Sequence, residues 1–295
     1  MGRLVKFKYT NMNGDSIVIS HVAPFVYKSI SGFGQAENEL SSIKQYGVDG
    51  ATKTTSSLAV RDMEIEMMIA ADNFADLQDL KRNAIHVLNP KVAGTLTYTV
   101  AGKSYEIDVE LIKGIDEGDA NTALTQSTVL QFQALDPYWR DVSYYDRLVS
   151  LSTADNRFKF PLQITDAYIF STVLTGQIVQ VDNAGDAVVG GEFTFTFTRT
   201  VVNPRIYNIK TTEFMEFNRT FVAGEKLVVV TTRNKKKMTL YDIDGEEVNA
   251  MQFRVVGSTF LQLDNTQTNY LQAQAQSGIE GMFVTLKLVP LKLGV

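Results

Sequence analysis

Catalysis or metal binding needs side chains that move protons, attack carbonyls or ligate ions, and this chain offers few of them. It contains no cysteine, which removes disulfides, thiolate metal sites and cysteine nucleophiles together. His21 and His86 are the only histidines. One stands at the end of a strand-like stretch and the other inside a helical one, with no second histidine near either. A triad or a metal site needs several convergent partners, so no catalytic or metal role is assigned to either. G-x-S-x-G, H-E-x-x-H and a phosphate-cradling loop are absent. Gly32-Phe33-Gly34 is a fragment of a glycine motif without the strand-to-helix context that would give it meaning.

The carboxylates are no more specific. Asp242-Ile243-Asp244-Gly245-Glu246 resembles the start of a calcium loop, but its glycine comes too early and the closing glutamate is missing. A hairpin turn at Asp244-Gly245 accounts for the same residues. Asp116-Glu117-Gly118-Asp119 reads as a solvated acidic loop. Nothing singles out a carboxylate pair of the kind that cleaves glycosides. Lys235-Lys236-Lys237 is a basic cluster at a hairpin tip, suited to an acidic neighbour or a polyanionic polymer and equally to solvent. The Asn218-Arg219-Thr220 sequon matters only in a secreted protein. The reading is of a non-enzyme with no cofactor and no metal.

Charge and hydropathy narrow the class further. The 295 residues are 44% hydrophobic and 21% charged, the balance of a folded globular protein with room for two domains. No apolar run is long enough to cross a bilayer. The opening Met1-Gly2-Arg3-Leu4-Val5-Lys6-Phe7-Lys8-Tyr9 alternates charge with apolar residues, so neither a signal peptide nor membrane attachment is expected, and synthesis in the cytoplasm is. The net charge of −5 argues against specific nucleic-acid binding. Its distribution is uneven. Residues 1–145 hold 13 Lys and Arg against 18 Asp and Glu, whereas residues 146–295 hold 15 of each.

The positioning elements are mostly strands. Val5, Phe7 and Tyr9 alternate with Lys6 and Lys8, and Asn13-Gly14 then leads into Ile17-Val18-Ile19, which predicts an opening hairpin. Residues 25–57 are broken by glycines and small polar residues and predict a long arm or loop, about 30–57, ordered by a neighbour. Residues 58–69 return to strand, with Met63, Ile65 and Met67 on one face and Asp62, Glu64 and Glu66 on the other. A helix is predicted over about 73–88, capped by Asp72 or Asn73 and stopped by Asn89-Pro90. Phe74, Leu77, Ala84, Ile85 and Leu88 form its apolar face, with Leu80 at the edge. Strands resume over 94–100, 105–112 and 129–134.

Leu135-Asp136-Pro137-Tyr138-Trp139 carries the only tryptophan and one of six prolines. Pro137 forbids a helix here, and the aromatics either cap a core or mark a seam between domains. The chain on either side favours the seam at Asp136, Pro137, Tyr138 and Trp139. Beyond it, Phe193, Phe195 and Phe197 alternate with threonines, and turns recur every eight to twelve residues. That spacing predicts a β-sandwich over 146–295.

The order of these features resembles the distal tail protein family of long-tailed phages. The opening hairpin, Arg61-Asp62-Met63-Glu64-Ile65, the helix ending Leu88-Asn89-Pro90 and Gly94-Thr95-Leu96-Thr97-Tyr98 match its first domain. Asp136-Pro137-Tyr138-Trp139 is similar to the aspartate–proline–aromatic–tryptophan signature that closes that domain. Asn203-Pro204-Arg205-Ile206, the stretch from Ala223 to Val229, Thr231-Thr232-Arg233, the turn region from Tyr241 to Asn249 and Leu293-Gly294-Val295 match the C-terminal pattern. Leu263 to Asn269 lacks the family's proline- or glycine-bearing turn, and the segment 178–191 is longer than usual.

The resemblance implies a mainly β protein. Its N-terminal ring-forming domain, 1–145, would contain one α-helix, and a galectin-like or carbohydrate-module-like β-sandwich would follow over 146–295. It implies a hexameric ring at the virion tail tip, contacting the tail tube protein and the tail-tip hub and letting DNA pass. An arm carrying Phe33 and Tyr46 would reach the next protomer. From the residues themselves, the alternating, moderately long strands of residues 1–20 and 58–69 are expected to be edges paired across protomers. The second domain would hold receptor-binding components. Three alternatives stand beside this reading. The sandwich could bind host saccharide on Tyr168, Phe170, Phe260 or Tyr270, the chain could belong to a tail-like bacteriocin, or it could be a cell-wall hydrolase.

Overall fold

The computed structural model of the chain describes residues 5–116, 122–156, 171–174 and 176–295. It divides into two compact units, one comprising Met1–Ser143 with Leu291–Val295 and the other Tyr144–Pro290. The boundary falls after Ser143 and not after residue 145, and the final five residues return to the first unit. The strand and turn periods could not show that return, because it depends on distant pairing.

Unit 1 opens with β1 (Val5–Asn11) and β2 (Ser16–Ile19), a hairpin whose turn includes Gly14 at φ +94°. β3 (Phe25–Ser31), β4 (Asn38–Ile43), β5 (Thr52–Leu58) and β6 (Arg61–Ala70) follow. After α1 (Phe74–Val87) come β7 (Gly94–Val100), β8 (Lys103–Lys113), β9 (Thr125–Ala134) and β10 (Trp139–Asp141). The main sheet runs β2-β1-β7-β8-β9-β6-β3. Its two margins meet where the Ser20 N–H donates to Phe25 O at 3.0 Å and the Tyr27 N–H donates to Ser20 O at 2.8 Å. This one bridge brings the two margins together and curls the sheet toward a barrel.

Alternation decides what fills the barrel. Val5, Phe7 and Tyr9 of β1, Met63, Ile65, Met67 and Ile69 of β6, and Leu130, Phe132 and Ala134 of β9 all point inward and are buried. β6 pairs with β9 from Arg61 to Ala70 and with β3 from Glu64 to Ile69. Arg61–Ala70 is therefore an interior strand over most of its length, and the expectation that it is an edge paired across protomers is overturned. β1 is likewise interior, flanked by β2 and β7.

α1 forms where it was expected, because Asn73 supplies the cap. Its side-chain oxygen accepts from the Asp76 N–H at 2.9 Å, satisfying one of the unpaired donors of the first turn. Leu77, Ala84 and Leu88 are buried, but Phe74 and Ile85 are 60% and 48% exposed. Three of the five predicted apolar positions are covered and Leu80 packs partly against the core, while Phe74 and Ile85 face outward. Asn73→Ala is expected to destabilise unit 1 by about 1 kcal/mol, read as a lower thermal midpoint with no change in native mass.

Unit 2 is built from a six-stranded sheet and a four-stranded sheet, with two short strand pairs. Glu192–Phe197 lies inside the larger sheet between Lys226–Val230 and Met282–Lys287. Arg205–Asn208 lies inside the smaller one between Phe214–Glu216 and Asn269–Gln274. Phe193, Phe195 and Phe197 are buried, as their period predicted. Phe195 meets Phe217 edge-on at 5.4 Å and Phe197 stacks on Phe221 at 4.4 Å, so aromatic contact joins the layers. The molecule is mainly β with a single α-helix among the described residues.

Candidate assembly site: an exposed hairpin and its root

Residues 25–57 are not a simple loop. Phe25–Ser31 is a barrel strand, and the arm itself is the hairpin of β4 and β5, paired from Asn38↔Leu58 to Ile43↔Thr52 with a bulge near Ser41. The Ala59 N–H donates to Glu37 O at 2.9 Å and closes its base. Every residue from 37 to 57 is exposed, and Tyr46 at the tip is fully so, with Leu40 and Ile43 63% and 61% exposed. Serines and threonines fill most other strand positions, so the ribbon has no apolar face of its own. A two-stranded ribbon is marginally stable alone, and both of its edges invite a partner.

Phe33 does not share that exposure. It is only 4% exposed, stacked 5.6 Å from Trp139 and within 5.2 Å of the Phe7 ring and 5.3 Å of Tyr98. Its assignment to an arm contact is therefore corrected. The flanking glycines made the segment look loose, but its one aromatic is drawn into the barrel core by the hydrophobic effect. Trp139, placed at the seam, is also a fully buried core residue of unit 1. Of the seam residues, Asp136 accepts from the Tyr138 N–H at 3.4 Å, and Pro137 offers its carbonyl to Arg61.

Arg61 organises the root. It is 4% exposed and heads the inward series of β6. Nε donates to Pro137 O at 2.9 Å, Nη1 to Gly32 O and Gly34 O at 2.8 and 2.6 Å, and Nη2 to Leu293 O at 2.6 Å. The guanidinium also lies 5.9 Å from the Trp139 ring centre. Burial lowers its pKa from the ordinary value, but a guanidinium keeps its proton in proteins. The signal was available in the sequence, since Arg61 is in phase with Met63, Ile65 and Met67.

The outer face of β6 carries the acid. Asp62 accepts from Gln133 at 2.9 Å, Glu64 from Gln131 at 2.7 Å and Glu66 from Ser29 at 2.8 Å. These donors are neutral, so they orient the carboxylates without cancelling their charge. Glu117 to Asp119 of the acidic loop lie outside the described residues.

In unit 2, the exposed Lys235-Lys236-Lys237 segment leads into the strand Lys237–Tyr241, which Lys237 begins. Lys237 lies 3.8 Å from Glu247, and Lys236 and Arg254 lie 5.4 and 5.6 Å from the Phe260 ring centre. Phe260 thus has two cations beside its ring. Tyr270 is partly exposed, and Tyr168 and Phe170 lie outside the described residues. Asp242 accepts from the Asp244 and Glu246 N–H groups at 3.0 and 2.9 Å, the geometry of a closed turn. His21 and His86 are both exposed.

Residues 12–123 match the family model for a phage tail protein RIFT-related domain, and residues 184–284 match that for a siphovirus-type tail component, C-terminal domain. No curated protein matches the chain in sequence. Among solved structures, the fold is similar to that of the SPP1 Dit protein, described as a paradigm of hub adsorption apparatus in phages infecting Gram-positive hosts. That alignment has a TM-score of 0.66 at 16% identity, covering 97% of this chain and 98% of the other. A chain of the phage P2 baseplate in its activated conformation with calcium aligns at a TM-score of 0.55 and 12% identity, with 97% and 98% covered. The two family models fall one on each unit and together match more than two thirds of the sequence, and with them the chain belongs to the distal tail protein family of siphophages, structural proteins of the phage tail and baseplate hub.

Proposed function

We propose that six copies of this chain close into a ring at the end of the tail tube, with the hairpin Asn38–Leu58 of each lying on its neighbour. The observation that carries this reading is the hairpin itself. Twenty-one consecutive exposed residues with two free edges have no reason to hold a ribbon unless another surface completes it. One side of the ring meets the tail tube protein and the other the tail-tip hub, while unit 2 holds the peripheral adsorption components. The role is mechanical and non-enzymatic, in the virion tail tip, after synthesis in the host cytoplasm. Asp62, Glu64 and Glu66 face the channel, where unneutralised carboxylates repel passing DNA and keep it from adhering.

Light scattering across a concentration series, with negative-stain images, tests the ring. The expected result is a closed species of about six chain masses with an open centre, in keeping with cyclic closure of one repeated contact. A monomer at every concentration, alone and with the tail tube protein, would refute it. A map of the ring with the outer face of β6 turned away from the channel would remove the role given to the three carboxylates.

A further inference from the structure

We propose that Arg61 is the positioning residue of the hairpin, acting with the strap Leu291–Val295 to hold the hairpin's root in one place. The inference rests on the reading that the hairpin contacts a neighbouring copy, and it adds what aims the hairpin there.

The case begins with an unusual choice of side chain. A methionine at position 61 would continue the Met63, Ile65, Met67 series, and apolar residues in such places are commonly as stable as buried charge or more so. The guanidinium carries a desolvation cost that only full hydrogen bonding offsets. Its acceptors are four main-chain carbonyls from segments far apart in sequence, at Gly32, Gly34, Pro137 and Leu293. A planar fork fixes the relative placement of such acceptors, which a packed methyl group cannot do.

Each acceptor belongs to a segment that bears on the root. Gly32 and Gly34 lie just before the hairpin begins at Asn38. Leu293 lies on the strap, whose Leu291 and Lys292 pair with Arg140 and Trp139 of β10. β10 is itself pinned to β8 by the two-pronged contact of Arg140 with Asp108, at 2.8 and 2.5 Å. The strap then crosses the root. The Ala36 N–H donates to Leu293 O at 3.3 Å, and the Val295 N–H donates to Phe33 O at 3.2 Å. A Cβ on Gly294 would lie 2.7 Å from the Gly34 carbonyl carbon, so only glycine lets the two backbones approach this closely. The chain thus leaves for unit 2 along β10 and returns along the strap, and Arg61 ties both passages to the hairpin's base.

Hydrogen exchange on the full chain tests the anchoring, with Gly294→Val and Arg61→Lys compared with the parent. Lysine keeps the charge but cannot span four carbonyls from one ammonium. Exchange at residues 33–36 and at the base of the hairpin is expected to rise at least about tenfold in both variants. The barrel strands and the unit 2 core, by contrast, keep the parent's rates. Emission from Trp139, the sole tryptophan, reports that the barrel remains folded.

Unchanged exchange at the root would overturn the proposal. So would acceleration of root and barrel together, because Arg61 would then be an ordinary stabilising residue. If Arg61→Lys does not fold, Gly294→Val decides alone, since it leaves Arg61 and the hairpin sequence intact. Ring formation by Gly294→Val is expected to need about tenfold more protein, the same factor as the exchange. A parent that stays monomeric refutes the neighbour contact, and with it the aiming role, whereas the exchange result judges the anchoring by itself.

Discussion

Trp139→Ala is expected to destabilise unit 1 by about 3–5 kcal/mol, the usual range for removing a large buried aromatic. Trp139 is completely buried. Its indole stacks on Phe33 at 5.6 Å, lies 6.2 Å from Tyr98 and sits under the Arg61 guanidinium at 5.9 Å. Alanine would leave a cavity beside a buried cation, and the Phe33 segment would lose the ring that holds it inward. A loss of this size is a large part of the roughly 5–15 kcal/mol that domains possess. Calorimetry is the appropriate measurement, because it can resolve the melting of two units. The expected trace shows the unit 1 transition lowered on the order of 10 °C and the unit 2 transition in place.

Trp139→Phe separates volume from polarity. The indole Nε1 is buried without a hydrogen-bond partner, which costs about 1–3 kcal/mol in comparable settings. Phenylalanine removes that N–H and keeps a ring to stack, so the loss is expected to be less than half that of alanine. Equal losses for the two variants would show that the indole's particular shape, rather than aromatic burial, sustains the site.

The second large effect concerns assembly and leaves the fold intact. Replacing Asn38–Leu58 by a two-residue Gly-Ser turn joins Glu37 to Ala59, already held together by a 2.9 Å hydrogen bond. No residue removed belongs to the buried core, and shortening a loop costs little entropy. The unit 1 midpoint is therefore expected to move by no more than about 1 kcal/mol. Ring formation is expected to weaken at least a hundredfold, equivalent to about 2.7 kcal/mol per contact. Native mass measured beside the calorimetric trace gives both answers. A shortened chain that still forms the ring at the parent's concentration would rule out the hairpin as the intersubunit contact.

These two variants mark opposite ends of one structural device. Phe33 and Trp139 bury the root, and the hairpin beyond Asn38 carries no core residue. Destabilising the root loosens unit 1, whereas removing the hairpin leaves unit 1 whole and deprives it of a contact. Arg61 lies between the two, which is why its expected signature is local exchange and not a global change in melting.

Much of this protein could be read from the order of its residues. Alternation in Val5-Lys6-Phe7-Lys8-Tyr9 and in residues 193–198 identified strands and their inner faces, because the pleat repeats every two residues. Asn73, Leu77, Ala84 and Pro90 marked the helix and its ends. The ordered motifs, with Asp136-Pro137-Tyr138-Trp139 near the middle, pointed to the distal tail family. All of these are local signals, set by the backbone geometry of a few neighbouring residues.

Other features depended on residues far apart in the chain. Phe33 sits in a glycine-rich stretch that looks like open loop, and only the rings of Phe7, Tyr98 and Trp139 around it make it core. β6 looked like an edge until β3 and β9 closed on both of its sides. Phe74 and Ile85 matched the helix period, but no other part of the unit packs over them and they stay exposed. Arg61 stood in plain phase with its apolar neighbours, yet its four acceptors come from three distant segments. Periodicity states which way a side chain points, and the tertiary fold alone decides what it meets there, because burial and hydrogen bonding are completed by residues that sequence distance does not relate.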